Sequence, residues 1–227
     1  MTADRRVDAV FFDLFGTLLS LARLGDACDR LAPGRGQEIA TRWRARQLEA
    51  TWLRTAMERW ADFDAVTRDA LAGTLDELGV EHPSDIDDVA RTFLDLPLEP
   101  GATDAIRALQ RHGVATGVLT NATRRTLDHV SARLALELDP LLSVDDARRF
   151  KPHPSVYQLA VEATGLAPDR IGFVTANGWD AAGAGTFGFH VAWLRADPRA
   201  VLPAVGSPKP TVATWTDVPR LFGTLQP

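Results

Sequence analysis

The sequence predicts an α/β fold, a doubly wound and mostly parallel sheet interrupted once by an inserted all-helical domain. Three observations lead there. Short apolar runs, "AVFFDL" at 9–14, "VATGVLT" at 114–120, "RIGFVTA" at 170–176 and "HVAWL" at 190–194, read as strands buried on both faces. Helical patterning separates the later runs, which is the alternation of a parallel, Rossmann-like core. Between the first and second runs lies a stretch, 21–96, rich in helix formers and without alternation.

Taken in order, the first strand ends at Asp13 and turns through Gly16. "GRGQEIATRWRARQLEATWLRTAMERWADF" is long enough for a multi-turn helix or a broken pair, and "DAVTRDALAGTLDELG" and "PSDIDDVARTFLDL" continue the helical stretch until the turn "PLEPGA". Core helices are expected at 101–113, 123–136 and 153–165, with a short one after Trp179. The tail "AVGSPKPTVATW" reads as a loop leading to a last strand and the helix "DVPRLFG". The expected division is a core of residues 1–20 and 97–227 with a helical cap of residues 21–96.

Composition narrows the function classes. With 45% hydrophobic and 24% charged residues among 227, the chain has the makeup of a soluble globular protein of one or two domains. A net charge of -5 argues against nucleic acid or an anionic membrane as partner. No apolar segment approaches the roughly 18 residues of a membrane span, and the N-terminal charges lead into no signal-peptide pattern. Cys28, the single cysteine, fits a reducing compartment, so a cytoplasmic protein is expected.

Ligands of open parallel sheets bind beyond the carboxyl ends of the strands. Several polar residues are expected at those ends: Asp13, then Thr120 and Asn121, then Lys151 in "RFKPHP", and Thr175, Asn177 and Asp180 in "VTANGWD". Singly, each has an ordinary reading. Asp13, Asn121 and Asn177 could cap helices, Lys151 could be a solvated loop residue, and Asp180 could be a first-turn acid favoured by the helix dipole. Together at one sheet edge they form a candidate active site, in which Lys151 would keep Asp13 ionised as a nucleophile and Asp180 would orient Lys151 and a water. The five histidines have no metal-ligand spacing.

"DLFGTL", "LTNA", "KPHPSVY" and "TANGWD", in that order, resemble the four motifs of the haloacid dehalogenase superfamily. "APGRGQEIATRWRARQLEATWLR", "SVDDARRFKPHP" and "FVTANGWDAAGAGTFGF" extend the similarity to the type II L-2-haloacid dehalogenases along most of the chain. Most superfamily members are magnesium-dependent phosphatases with a second acid two residues after the nucleophile. Here that position is Phe15, which can neither protonate an alkoxide nor favour a phosphate. A departing halide needs no proton, only dipoles or a cation in a dry pocket.

The resemblance implies a metal-free and cofactor-free hydrolysis of short L-2-haloacids to D-2-hydroxy acids. Asp13 would form an aspartyl ester with inversion, and Arg44, Asn121 and Trp179 would receive the halide. Lys151 and Asp180, held by Thr175 and Asn177, would support water attack. Thr17 would bond Asp13, while Thr120 with nearby backbone N–H groups would hold the substrate carboxylate beside Phe15. Tyr157 matches a family position near Lys151, with helix packing as its alternative. Trp52, Trp60 and Phe63 could wall an apolar pocket. Among Arg42, Arg44, Arg46 and Arg54, only the resemblance singles out Arg44. Many relatives have Tyr at Phe15, Ser at Thr120 and Ser-Ser at Thr175 and Ala176. The resemblance also implies a homodimer through the cap. Alternatives are hydrolysis of another small non-phosphate carboxylic acid, a magnesium-dependent phosphatase, or a non-catalytic binder of a small carboxylate.

Overall fold

The computed structural model describes residues 7–81, 86–194 and 211–222. Six parallel strands are described: β1 (Ala9–Phe12), β2 (Ala115–Thr120), β3 (Leu141–Ser143), β4 (Ile171–Thr175), β5 (His190–Leu194) and β6 (Thr211–Ala213), in the order β3-β2-β1-β4-β5-β6. The four apolar runs are four of these strands. β3, which the sequence reading did not separate from its surroundings, has only three residues. The first part of the expected tail loop, 204–210, lies outside the described residues.

β1 is central. Phe12 is in register with Val118 of β2 on one side and Val174 of β4 on the other, and all four residues of β1 are buried. The order of connection reverses across β1, so its carboxyl end is the switch point at which such sheets bind ligands. Asp13, the next residue, is fixed there by its backbone N–H, which donates to Val174 O at 3.0 Å. Gly16 turns the chain immediately afterwards with φ +78°, a left-handed conformation that a side chain would strain.

The stretch between β1 and β2 contains α1 (Leu24–Asp29), α2 (Gly36–Ala56), α3 (Phe63–Glu77), α4 (Ile86–Ala90) and a 3₁₀ turn at Arg91–Leu94, before α5 (Ala102–Arg111) leads into the sheet. The expected multi-turn helix is α2, a single 21-residue helix. Departing and returning chain are tied together: Ser20 N donates to Pro97 O and Glu99 N to Leu18 O, both at 2.8 Å.

α6 (Arg124–Leu134), α7 (Pro154–Thr164) and α8 (Gly178–Phe187) return the chain between strands, and α9 (Val218–Phe222) follows β6. Their starts follow local capping chemistry. Thr123 accepts from Thr126 N at 3.1 Å at the head of α6, and the His153 side chain with Pro154 opens α7. His153 is therefore a helix cap. Cys28 is buried among apolar side chains, which pushes its thiol up to about 12.

Candidate active site

Side chains from three segments, 13–17, the Lys151 loop and 175–177, converge on Asp13. Its Oδ2 accepts from Thr17 Oγ1 at 2.8 Å, Asn177 Nδ2 at 2.7 Å and Thr175 Oγ1 at 3.4 Å, and its Oδ1 accepts from Lys151 Nζ at 3.1 Å. Thr17 spends its lone pair on Ala176 N, 2.9 Å away, which directs its proton to Asp13. Asn177 stands at the N-cap position of α8 but makes no cap bond. Its amide serves Asp13 and Phe15 O (3.2 Å) instead, so a cap worth about 1 kcal/mol is given up at this site.

Lys151 is wholly buried. Its ammonium bridges Asp13 and Asp180 Oδ2, the latter at 2.9 Å, and lies 4.7 Å from the centre of the Phe173 ring. Asn121 Oδ1 holds the Lys151 backbone N–H at 3.0 Å, joining the end of β2 to the lysine loop. Burial pushes the Asp180 carboxyl up to about 6, with Lys151 working against that rise. Burial and the neighbouring Asp180 hold the Tyr157 phenol well above its ordinary range, so it stays a donor, to Asp180 Oδ1 at 2.7 Å.

Asp13, Phe15, Arg44, Phe63, Thr120, Asn121 and Trp179 enclose a cavity of about 10 Å³. Arg44 donates to Gln47 Oε1 at 2.5 Å, and Gln47 in turn donates to Thr67 Oγ1 of α3 at 2.5 Å. Burial brings the Arg44 guanidinium down to about 10, opposed by Asp13, so it remains a cation at neutral pH. The other arginines of α2 face outward: Arg42 and Arg46 pair with Glu77, and Arg54 lies 3.7 Å from Asp69. The Trp179 indole N–H is buried with no hydrogen-bond partner in the protein, an orphaned donor beside a guanidinium.

Three expected residues lie elsewhere. Tyr157, expected at the substrate, sits behind Asp180 among Phe173, Phe187 and Phe189 and does not line the cavity. Trp60 stacks on Phe150 at 4.9 Å, and half-exposed Trp52 meets Trp179 edge-on at 5.8 Å, leaving Phe63 alone of that aromatic set in the cavity wall. Gln47 went unnoticed in the sequence, although its i, i+3 spacing from Arg44 was a usable signal.

The donor set does not fit a divalent cation. Asp13 and Asp180 already share the Lys151 ammonium, Phe15 offers no ligand, and among the described residues no group of three or more His, Cys, Asp or Glu side chains could hold a metal.

Several known proteins are similar to this chain. An (S)-2-haloacid dehalogenase of Xanthobacter autotrophicus is 41% identical over 189 residues, covering 82% of this chain and 74% of that protein. One from Pseudomonas sp. (strain YL) is 39% identical over 195 residues, covering 83% and 82%. The solved L-2-haloacid dehalogenase from X. autotrophicus with chloropropionic acid covalently bound matches with a TM-score of 0.89 at 34% identity, over 97% of this chain and 100% of that one. The haloacid dehalogenase-like hydrolase profile matches residues 7–188, a span that opens before Asp13 and closes after Asp180. With its whole polar cluster inside that span, the chain belongs to the haloacid dehalogenase-like hydrolases.

Proposed function

We propose that the protein hydrolyses short L-2-haloacids to D-2-hydroxy acids through an ester of Asp13. The observation that carries this is the pairing of a nucleophile site held by four donors with Phe15: Asp13 faces a small cavity in which a phenyl ring stands where a group able to protonate an alkoxide would be needed. The relatives named (S)-2-haloacid dehalogenase, and the neighbour with chloropropionic acid covalently bound, support the same chemistry.

The hydrogen bonds divide the work of the two Asp13 oxygens. Oδ1, bonded to Lys151, attacks C2 from the side opposite the halogen. The C2–halogen bond breaks, and its electron pair leaves with the halide toward Arg44, Asn121 and the unpartnered Trp179 N–H. Oδ2 becomes the ester carbonyl, already facing Thr17, Asn177 and Thr175. Water then attacks Cγ, the charge develops on Oδ2 under those donors, and the Cγ–Oδ1 bond breaks. One water proton passes by way of Asp180, whose raised pKa suits it to accept and return a proton, to the hydroxyl of the product, and the other is released to solvent as Asp13 returns to a carboxylate. Thr120 and nearby backbone N–H groups orient the substrate carboxylate, and Tyr157 positions Asp180.

The reading also takes residues 21–96 as a cap over a core of 1–20 and 97–227, a division supported by the bonds that tie residues 18–20 to 97–99. A homodimer through the cap draws support from Trp52 and Leu53 on α2 and Met57 at its C-terminal end, all exposed. A cytoplasmic setting draws support from the lone buried Cys28.

The test is halide release from L- and D-2-chloropropionate in excess EDTA. L-selective release that survives EDTA and disappears in Asp13→Asn is expected, with ¹⁸O from labelled water entering the protein in a single turnover. Release abolished by EDTA, or label going directly to product, overturns the mechanism.

A further inference from the structure

A cavity of about 10 Å³ has room for about one water, so even a haloacetate reaches Asp13 only if a wall moves. Most of the wall is anchored. Asp13, Thr120 and Asn121 sit at strand ends, with Asn121 bonded to Lys151, and Arg44 is tied through Gln47 to Thr67. Phe15 and Phe63 differ from the other five lining residues because both also line a second cavity, a cleft of about 530 Å³ between α3, the 86–94 segment and α6. They are the partition between the two spaces.

The partition is aromatic and layered. Phe15 stacks on Phe63 with centroids 5.9 Å apart and meets Phe93 edge-on at 4.9 Å. Phe63 is the first residue of α3, so a shift of that helix start carries its ring into open space. What holds it is the next residue. Asp64 Oδ2 accepts from Thr123 Oγ1 at 3.1 Å and from Arg125 at 2.9 Å, while Oδ1 accepts from Thr126 Oγ1 at 3.0 Å. All three donors stand at the head of α6, directly after Thr120 and Asn121. One carboxylate therefore ties the cavity wall to the loop that forms its opposite side.

The geometry points to the cleft as the route by which substrate reaches Asp13, with Phe63 as its gate and Asp64 as the positioning residue that holds the gate shut. This rests on the dehalogenase reading for the identity of the substrate. Phe15, Phe63, Phe93 and Leu94 give the route an apolar floor suited to an alkyl chain, and exposed His129 on α6 stands at its edge.

Asp64→Asn keeps the size of the latch and removes its charge, whereas His129→Trp fills the cleft. The quantity to measure is kcat/KM for L-2-bromohexanoate divided by kcat/KM for chloroacetate, in which any loss of folded protein cancels. The ratio is expected to rise about threefold or more in Asp64→Asn and to fall about tenfold in His129→Trp. A ratio within about twofold of the native value in either variant overturns the route. Should the native protein release no halide, stopped-flow tryptophan fluorescence on mixing with hexanoate or acetate reads the same ratio from association rates. A wrong reaction and a wrong route then give different results.

Discussion

Lys151 Nζ stands 2.9 Å from Asp180 Oδ2 and 3.1 Å from Asp13 Oδ1, with none of the lysine side chain exposed. One ammonium thus bridges two buried carboxylates that would otherwise repel each other. Lys151→Met keeps the apolar stem against Phe173 and leaves both acids uncompensated, at an expected cost of about 3–5 kcal/mol in urea unfolding at pH 8. Burial then raises the Asp180 carboxyl with no lysine to oppose it, so the folded variant binds an extra proton there and its deficit shrinks as the pH is lowered. Native-like stability at pH 8 would count against a charged cluster.

Asp180 gives the native protein opposite pH trends in stability and activity. Its carboxyl titrates near 6 folded, against 3.8 for a free aspartate, because burial outweighs Lys151. The folded state therefore holds the additional proton between those values. The stability this acid contributes is complete below the lower value and is lost as the pH rises through the higher one. Activity needs the ionised form, so kcat is expected to fall as the pH drops through about 6. A kcat profile flat down to pH near 4 would mean that Asp180 ionisation is not required.

Asn177 trades helix capping for nucleophile support, and the trade can be reversed. In Asn177→Ser the shorter side chain cannot span the 2.7 Å contact to Asp13 and the 3.2 Å contact to Phe15 O, but it can cap α8. The regained cap, about 1 kcal/mol, roughly offsets the lost bonds, so the urea midpoint should move little. Halide release should fall about 10²-fold, as when one donor to a developing oxyanion is removed. A large stability loss with activity retained would assign Asn177 a structural task.

The strands with strong apolar runs were legible because they are buried on both faces; β3 was not, since Leu141–Ser143 gives no period to detect. At the site, the strand-end residues Asp13, Thr120, Asn121, Thr175 and Asn177 followed from topology alone. Arg44 did not. It differs from Arg42, Arg46 and Arg54 only in the direction it faces, and α2 conceals that direction by burying polar Gln47 and Thr51 alongside Ile39 and Trp43. Asp64 was still less visible, because its donors lie 59 to 62 residues away and only the packing of α3 on α6 brings them together.

Gly183 is the residue whose missing side chain lets Tyr157 reach Asp180. A Cβ there would lie 2.5 Å from the Tyr157 hydroxyl and 2.5 Å from Pro152 Cβ, within the loop that carries Lys151. Gly183→Ala must therefore displace the phenol or the loop, at an expected cost of about 1–3 kcal/mol from overpacking. Displacing the hydroxyl removes the 2.7 Å bond that orients Asp180, so kcat should fall as well. The double variant with Tyr157→Phe separates the two causes. Removing the clashing oxygen relieves half of the overlap, so the pair should cost less in stability than the sum of the single changes, with a coupling of about 0.5 kcal/mol or more. Activity stays low in the pair because the donor to Asp180 is gone. Strict additivity in urea unfolding would place the strain of Gly183→Ala on Pro152 alone and detach Gly183 from the orientation of Asp180.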